Sequence, residues 1–492
     1  MTIDSDLLII GSGFGGSLTA LVAKQIGLRP VVIDRGRHPR FAIGESTTPL
    51  ANLVLEGLAR RYGLPRLLPL TNYASFRATY PEVMRGLKRG FSYFAQQMDE
   101  PFKPRNDHAN ELLVAASHGE ADADTHWLRA DVDQFLAREA VNARVPLFEE
   151  THPESLRRDD IGWVVEAMRE GEPLRFRTKF LVDASGEGAW VARQLGLSDA
   201  TATLHTHSRA VFAHFTGVMP WETIYRRDGG NAADHPFPCD AAALHHVFDG
   251  GWMYVLPFDN GVTSAGFSLD PRQSPEPQGM SPDDEWGALL RRFPSIAEQF
   301  AQAVPVSHGG HLVRSRRLQR RFTPAAGSNW ALLPHVAGFI DALHSTGIAL
   351  TMFGIERLAA AWERHWNHPE LATDMAEYDR LFQAELSFVD LIVAGCYRGF
   401  RDFPRMVAMT MFYFATAIWS EHRRRNTTEA PRGFLCGDDP ALRAALEWSY
   451  QALHDPTVST DDLTAFVTSA IAPVNIAGLC DAGKKNMYPY MV

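Results

Sequence analysis

Leu7-Leu8-Ile9-Ile10-Gly11-Ser12-Gly13-Phe14-Gly15-Gly16 is the stretch whose reading decides the fold. Its four leading apolar residues form a short buried strand. The glycines that follow fit G-x-G-x-x-G at Gly11, Gly13 and Gly16. Gly11 allows the tight turn out of the strand, Gly13 lets the backbone approach a pyrophosphate, and Gly16 lets helix and strand pack closely. Phe14 opens the next element, and Ser17 to Gly27 reads as a helix whose N–H groups and dipole favour a phosphate at its start. Val31-Val32-Ile33 is a second buried strand, closed by Asp34, where a carboxylate can accept hydrogen bonds from ribose hydroxyls. Strand, turn, helix and strand together predict a dinucleotide-binding unit.

Working outward, Trp127 to Asn142 has apolar residues at helical spacing, and Phe180 to Asp183 is a further buried strand ended by Ser185-Gly186. From His205 to Asp270 the pattern changes to short aromatic-rich segments of β character, such as Trp252 to Leu256. Trp330 to Leu333 is another short strand, and Gly347 to Trp366 a helix. The expected fold class is α/β (α+β): a Rossmann-type domain in residues 1–200 and 325–375, a β-rich substrate segment in 201–324, and a helical region in 376–492.

The 492 residues carry a formal net charge of −10, which argues against a nucleic-acid partner. Arg423-Arg424-Arg425 is the densest basic run and reads as a solvated helix end. Cys239, Cys396, Cys436 and Cys480 are far apart, so neither disulfides nor a zinc site is expected, and a reducing cytoplasm is the expected location. The chain runs straight into a strand without a signal-peptide pattern. Met406 to Trp419 is too short to span a bilayer, which takes about 20 residues. His205/His207 and His245/His246 lack an acidic residue or cysteine at a recognisable spacing, and no metal is expected.

Asp34-Arg35-Gly36-Arg37-His38-Pro39-Arg40 leads into Gly44-Glu45-Ser46, and Asp183-Ala184-Ser185-Gly186 comes later. With these segments the sequence resembles the flavin-dependent halogenases, within the wider group of FAD monooxygenases related to hydroxybenzoate hydroxylase. The resemblance implies FAD as the dinucleotide. It places Arg35, Gly44, Glu45, Ser46 and Asp183 at the cofactor, and it matches Arg129 and Asp133 to an R-x-x-x-D pattern whose arginine reaches FAD. A surface salt bridge is the plainer reading of Arg129.

The same resemblance assigns a reaction site. Lys88, in Gly86-Leu87-Lys88-Arg89-Gly90-Phe91, stands where the family has the lysine that binds or converts hypohalous acid. Burial would lower its pKa as such chemistry needs. Ser345, Thr346 and Gly347 match the S-T-G motif that holds halide, while Asp341, Gly347 and Ile348 fall at flavin-contacting positions. His344 replaces a glutamate found in the tryptophan branch and is a candidate base. Trp252-Met253-Tyr254-Val255-Leu256-Pro257 stands for W-x-W-x-I-P, with Tyr and Leu substituted. Pro334-His335 replaces a Gly-Asp pair that holds the ribityl chain, which implies weaker flavin retention and a separate reductase that delivers reduced FAD. The implied reaction joins chloride or bromide to an electron-rich aromatic of phenol or pyrrole type, free or carrier-bound. The aromatic helices Phe388 to Tyr397 and Met406 to Trp419 are expected to close over it. The alternative is an FAD monooxygenase or oxidoreductase of the same fold that uses no halide.

Overall fold

Leu7, Leu8, Ile9 and Ile10 are at most 4% exposed, because the strand Thr2–Ile10 has parallel neighbours on both edges. The computed structural model describes residues 2–427 and 433–492. In the first sheet the order is Ala326–Gly327, Trp330–Leu332, Glu172–Asp183, Thr2–Ile10, Pro30–Ile33 and Leu147–Phe148. Thr151–Arg158 and Trp163–Arg169 continue it as an antiparallel pair beside Glu172–Asp183. Ile10 is in register with both Ile33 and Asp183, and Asp183 with Leu332. The strands therefore end together, and the segments that leave them gather at one edge, the place where open parallel sheets bind ligands.

The glycines make this edge possible. Gly11 has φ +108°, and a Cβ on it would lie 2.3 Å from the Ala184 carbonyl oxygen. A Cβ on Gly16 would lie 1.9 Å from the Gly11 carbonyl oxygen, so helix Phe14–Ile26 could not start where it does.

A second sheet runs in the order Val304–Pro305, Arg209–Thr216, Val262–Leu269, Gly251–Pro257, Ala243–Phe248, Gly90–Ala95, Glu111–Ala115 and Met487–Tyr488. It differs from the expected segment of residues 201–324, for it takes strands from residues 90–115 and from the end of the helical region. Ala243 pairs in parallel with Phe91, and Met487 with Leu113. Pairings across such distances leave no local periodicity to read in the sequence.

Helices Thr346–His365, Leu371–Gly399 and Phe403–Asn426 follow the first sheet, and Phe388 to Tyr397 and Met406 to Trp419 lie within the last two. Met406, Met409, Phe412, Tyr413 and Phe414 are buried. Pro404 starts the third of these helices, where its missing N–H costs nothing. The basic run sits in its last turn but is not simply solvated: Arg424 pairs with Glu356 and Arg425 with Glu421. Among the described residues no helix is long and apolar enough to cross a membrane.

Replacement of Gly16 by alanine drives a methyl group into backbone that cannot move aside. We expect a loss of at least about 3 kcal/mol in urea unfolding, the upper range for overpacking. Gly27→Ala, where a Cβ meets nothing but φ is +99°, is expected to cost less.

Candidate active site

Gly13 caps helix Phe14–Ile26 with no side-chain hydrogen bond, which leaves first-turn N–H groups available. Asp34 lies beside this start. Its Oδ2 accepts from the Ser12 N–H at 2.7 Å, the Ser12 hydroxyl at 2.8 Å and the Arg40 guanidinium at 2.9 Å. Its Oδ1 accepts from the Gly36 N–H at 2.8 Å. Burial pushes this carboxyl up, but Arg40 and the N–H donors outweigh it and hold its pKa below the ordinary value. Nearby, His38 Nδ1 and Arg40 Nε are buried without partners among the described residues, and Arg35 is exposed. An uncapped glycine start and open polar atoms next to a carboxylate fit the pyrophosphate and adenosine end of FAD.

Arg129 is not a surface residue. Its Nε and Nη2 donate to Asp133 at 2.8 and 2.9 Å, and its Nη1 donates to the carbonyls of Ile43 and Gly44 at 2.8 and 3.1 Å. Asp133 also accepts from the Phe14 N–H at 3.2 Å, and the guanidinium lies 4.8 Å from the Phe14 ring centroid. This pair thus fixes Gly44-Glu45-Ser46 against the glycine-rich turn. Gly44 takes φ +86°, while buried Glu45 places Oε1 2.9 Å from His214 Nε2.

Asp183 and Asp341 have supporting places. Asp183 accepts from the N–H groups of Ser185 and Val191 at 2.9 and 2.7 Å. Asp341 accepts from the hydroxyls of Ser208, Tyr397 and Ser268 at 2.8, 3.0 and 3.2 Å and from the Leu343 N–H at 3.1 Å. Burial raises the pKa of both. A buried carboxylate needs donors, and here the protein provides them. These two residues shape the turns that flank the cofactor site.

His335, after Pro334, packs where a Cβ on Gly15 would come within 2.9 Å of its ring. Burial and the nearby Arg320 push its pKa down to about 3. The position therefore carries a neutral ring where the resemblance implies a carboxylate.

The two segments that the resemblance assigns to a reaction site meet directly. The Ser345 hydroxyl donates to the Ser46 hydroxyl at 3.0 Å. Ser345 itself is left-handed, at φ +52°, and precedes the 20-residue helix Thr346–His365 without a side-chain cap. The first-turn N–H groups of Thr346, Gly347 and Ile348 have no partner within the helix, an arrangement suited to an anion.

Lys88 is fully buried and faces Thr47, the residue after Ser46. Its Nζ donates to the Thr47 carbonyl at 2.6 Å and lies 4.0 Å from the Phe91 ring centroid. In the two-stranded ladder Arg85–Lys88 with Asp124–Trp127 it stands opposite Asp124. Burial pushes Lys88 down and Asp124 up, and each opposes the shift in the other. The Asp124 Oδ1 accepts from Asn52 at 2.6 Å, while Oδ2 has no partner among the described residues.

Aromatic rings surround the lysine. His245 stacks on Tyr93 at 4.4 Å and lies 5.2 Å from Trp252, which is followed by Tyr254 at 6.1 Å. His245 and His246 face opposite ways on one strand: the first contacts the Ser92 carbonyl, the second Gln96 and Gln299. Beyond Phe91, a cleft is lined by Thr346, Tyr413, Phe414 and the carboxylate residue Glu421. Lys88 stands behind Phe91. His344 stacks on Tyr413 at 4.6 Å, with no partner for Nε2 among the described residues, and burial pushes its pKa down to about 3. It is a neutral ring and a weaker base than its position suggested. Asp124, Tyr413 and Glu421 were not singled out in the sequence, because cross-strand partners and cleft-lining helix residues have no motif.

The family model "Tryptophan halogenase" matches residues 122–399. Monodechloroaminopyrrolnitrin halogenase PrnC of Pseudomonas fluorescens is 31% identical, covering 94% of this chain and 81% of its own. Tetracycline 7-halogenase of Kitasatospora aureofaciens is 29% identical over 92% of this chain and 80% of its own. The structure of halogenase PltM in complex with phloroglucinol and FAD superposes with a TM-score of 0.87 at 24% identity, covering 98% of this chain and 99% of that one. The chain belongs to the tryptophan halogenase family. It is a flavin-dependent halogenase of aromatic substrates, with FAD and halide as co-reactants, and the halide-free alternative is set aside.

Asp133→Asn removes the charge that pairs Arg129. A loss of about 3 kcal/mol, typical of a broken buried pair, is expected in chemical denaturation, with weaker FAD binding in fluorescence titration.

Proposed function

We propose that this enzyme halogenates a phenol- or pyrrole-type substrate, with Lys88 as the residue that activates the oxidised halogen. The observation that carries this reading is the buried Lys88 ammonium site, bonded to Thr47 next to the hydrogen bond between Ser46 and Ser345. When bound, reduced FAD supplies hypohalous acid from oxygen and halide; a separate reductase would deliver it, since the sequence has no second nucleotide motif.

The first-turn N–H groups at Thr346 and Gly347 would hold the halide. Lys88, as ammonium, donates a proton to the oxygen of hypohalous acid while the arene attacks the halogen, so that water leaves. The neutral amine then takes the proton from the halogenated carbon, which restores the ammonium. A lysine with an ordinary pKa would be a poor acid for the first step, which its lowered value favours; the second transfer, from a strongly acidic carbon centre, needs only a weak base. His344, held neutral, would order the wall at Tyr413.

The substrate class rests on the relatives, whose names contain an aminopyrrolnitrin and a tetracycline and whose structural neighbour holds phloroglucinol. Glu421 would accept a hydrogen bond from a hydroxyl or N–H of such a ring. A pyrrole on a peptidyl carrier protein is the substrate named for a brominase of Pseudoalteromonas luteoviolacea, which is 25% identical over 70% of this chain and 74% of its own. A carrier-bound substrate is the second form this cleft would take.

With reduced FAD, oxygen and bromide or chloride, the enzyme is expected to give halogenated phloroglucinol by mass spectrometry. Lys88→Met should lower product at least about 100-fold, the scale of a lost acid–base group, while FAD binding persists. Full halogenation by this variant would refute the mechanism.

Asp124→Asn removes the negative charge that supports the ammonium, so the Lys88 pKa falls further. The alkaline limb of the pH profile of kcat/KM should move to lower pH, whereas a purely structural role would change its height without moving it.

A further inference from the structure

His108 and Glu111 lie at the edge of the second sheet, away from the cleft, and meet His235 from the segment between helix Trp221–Arg227 and strand Ala243–Phe248. The three side chains are at most 1% exposed. Among the described residues neither ring nitrogen of His235 makes a hydrogen bond, nor does Oε2 of Glu111, which lies 3.5 Å from His235 Nε2. Buried polar atoms are seldom left in this state. All three residues offer donor atoms within 4.8 Å of one another.

We propose that His108, Glu111 and His235 bind a divalent transition-metal ion of the zinc class, which fastens the segment carrying His235 to the sheet. A tetrahedral zinc with bonds of about 2.0–2.1 Å sets its ligand atoms roughly 3.3 Å apart, close to the spacing of His235 Nε2 and Glu111 Oε2. The outer groups are also in place. His108 faces Glu111 with Nδ1 and has Nε2 3.1 Å from Asp234 Oδ2, the carboxylate–histidine arrangement that orients a metal-bound ring. The Tyr225 hydroxyl donates to Glu111 Oε1 at 2.8 Å, which leaves Oε2 for the ion. Two imidazoles and one carboxylate suit zinc better than calcium or magnesium, which prefer oxygen.

The test uses the full chain, stripped with a chelator, loaded with zinc and freed of loose metal. Elemental mass spectrometry should find zinc equimolar with protein, and loading should raise the melting temperature. His235→Ala and His108→Ala should both lose the zinc, while His205→Ala, outside the cluster, keeps it. Equal zinc in wild type and in either cluster variant would overturn the site. Cobalt(II) bound to the wild type provides a measure that needs no variant to fold: an intense tetrahedral visible spectrum supports the proposal, and the weak spectrum of aqueous cobalt overturns it.

Discussion

Arg129 and Asp133 form the contact on which the cofactor half of this enzyme depends. One turn of helix brings the two side chains together, and their outward atoms then reach Phe14, Ile43 and Gly44. Charge alone would not justify such a pair, because the desolvation of two ions offsets much of their attraction. Its value is geometric. A planar guanidinium with several fixed donors can tie a glycine-rich turn to a distant loop in one orientation, which a lysine could not do. Once Gly44-Glu45-Ser46 is fixed, Ser46 meets Ser345, and the start of helix Thr346–His365 is set relative to the glycine-rich turn.

Near the reaction centre the ordering principle is exclusion of water. Lys88, His126, His245 and His344 are all buried, and burial together with mutual repulsion holds the three imidazoles neutral, near about 3. In such surroundings the Lys88–Asp124 pair is the place where a proton is easily gained or lost.

The cofactor half was legible in sequence because its demands are local. Gly11 and Gly16 are required by contacts within a few residues, and Asp34 by the end of the next strand. The second sheet was legible only as β character: its partners, Phe91 with Ala243 and Leu113 with Met487, are joined by backbone pairing that any β-prone residues satisfy. Lys88 could be recognised by likeness, but Asp124 could not, since its place across a ladder depends on register. The resemblance places Asp183 and Asp341 at the cofactor; the hydroxyl donors that Asp341 meets, Ser208, Ser268 and Tyr397, come from remote segments that no motif marks.

The strand Met487–Tyr488, paired to Glu111–Ala115, has a kinetic meaning. It makes the helical region a loop pinned at both ends, so the helices behind the cleft cannot swing away as a unit without breaking an edge of the second sheet. It also means that this sheet stays incomplete during synthesis until residues 487–488 have emerged. The unpaired edge at Leu113 and Val114 would be exposed for that interval, and a sheet edge left waiting invites association with other chains. Slow growth of the nascent protein would therefore be felt first as aggregation.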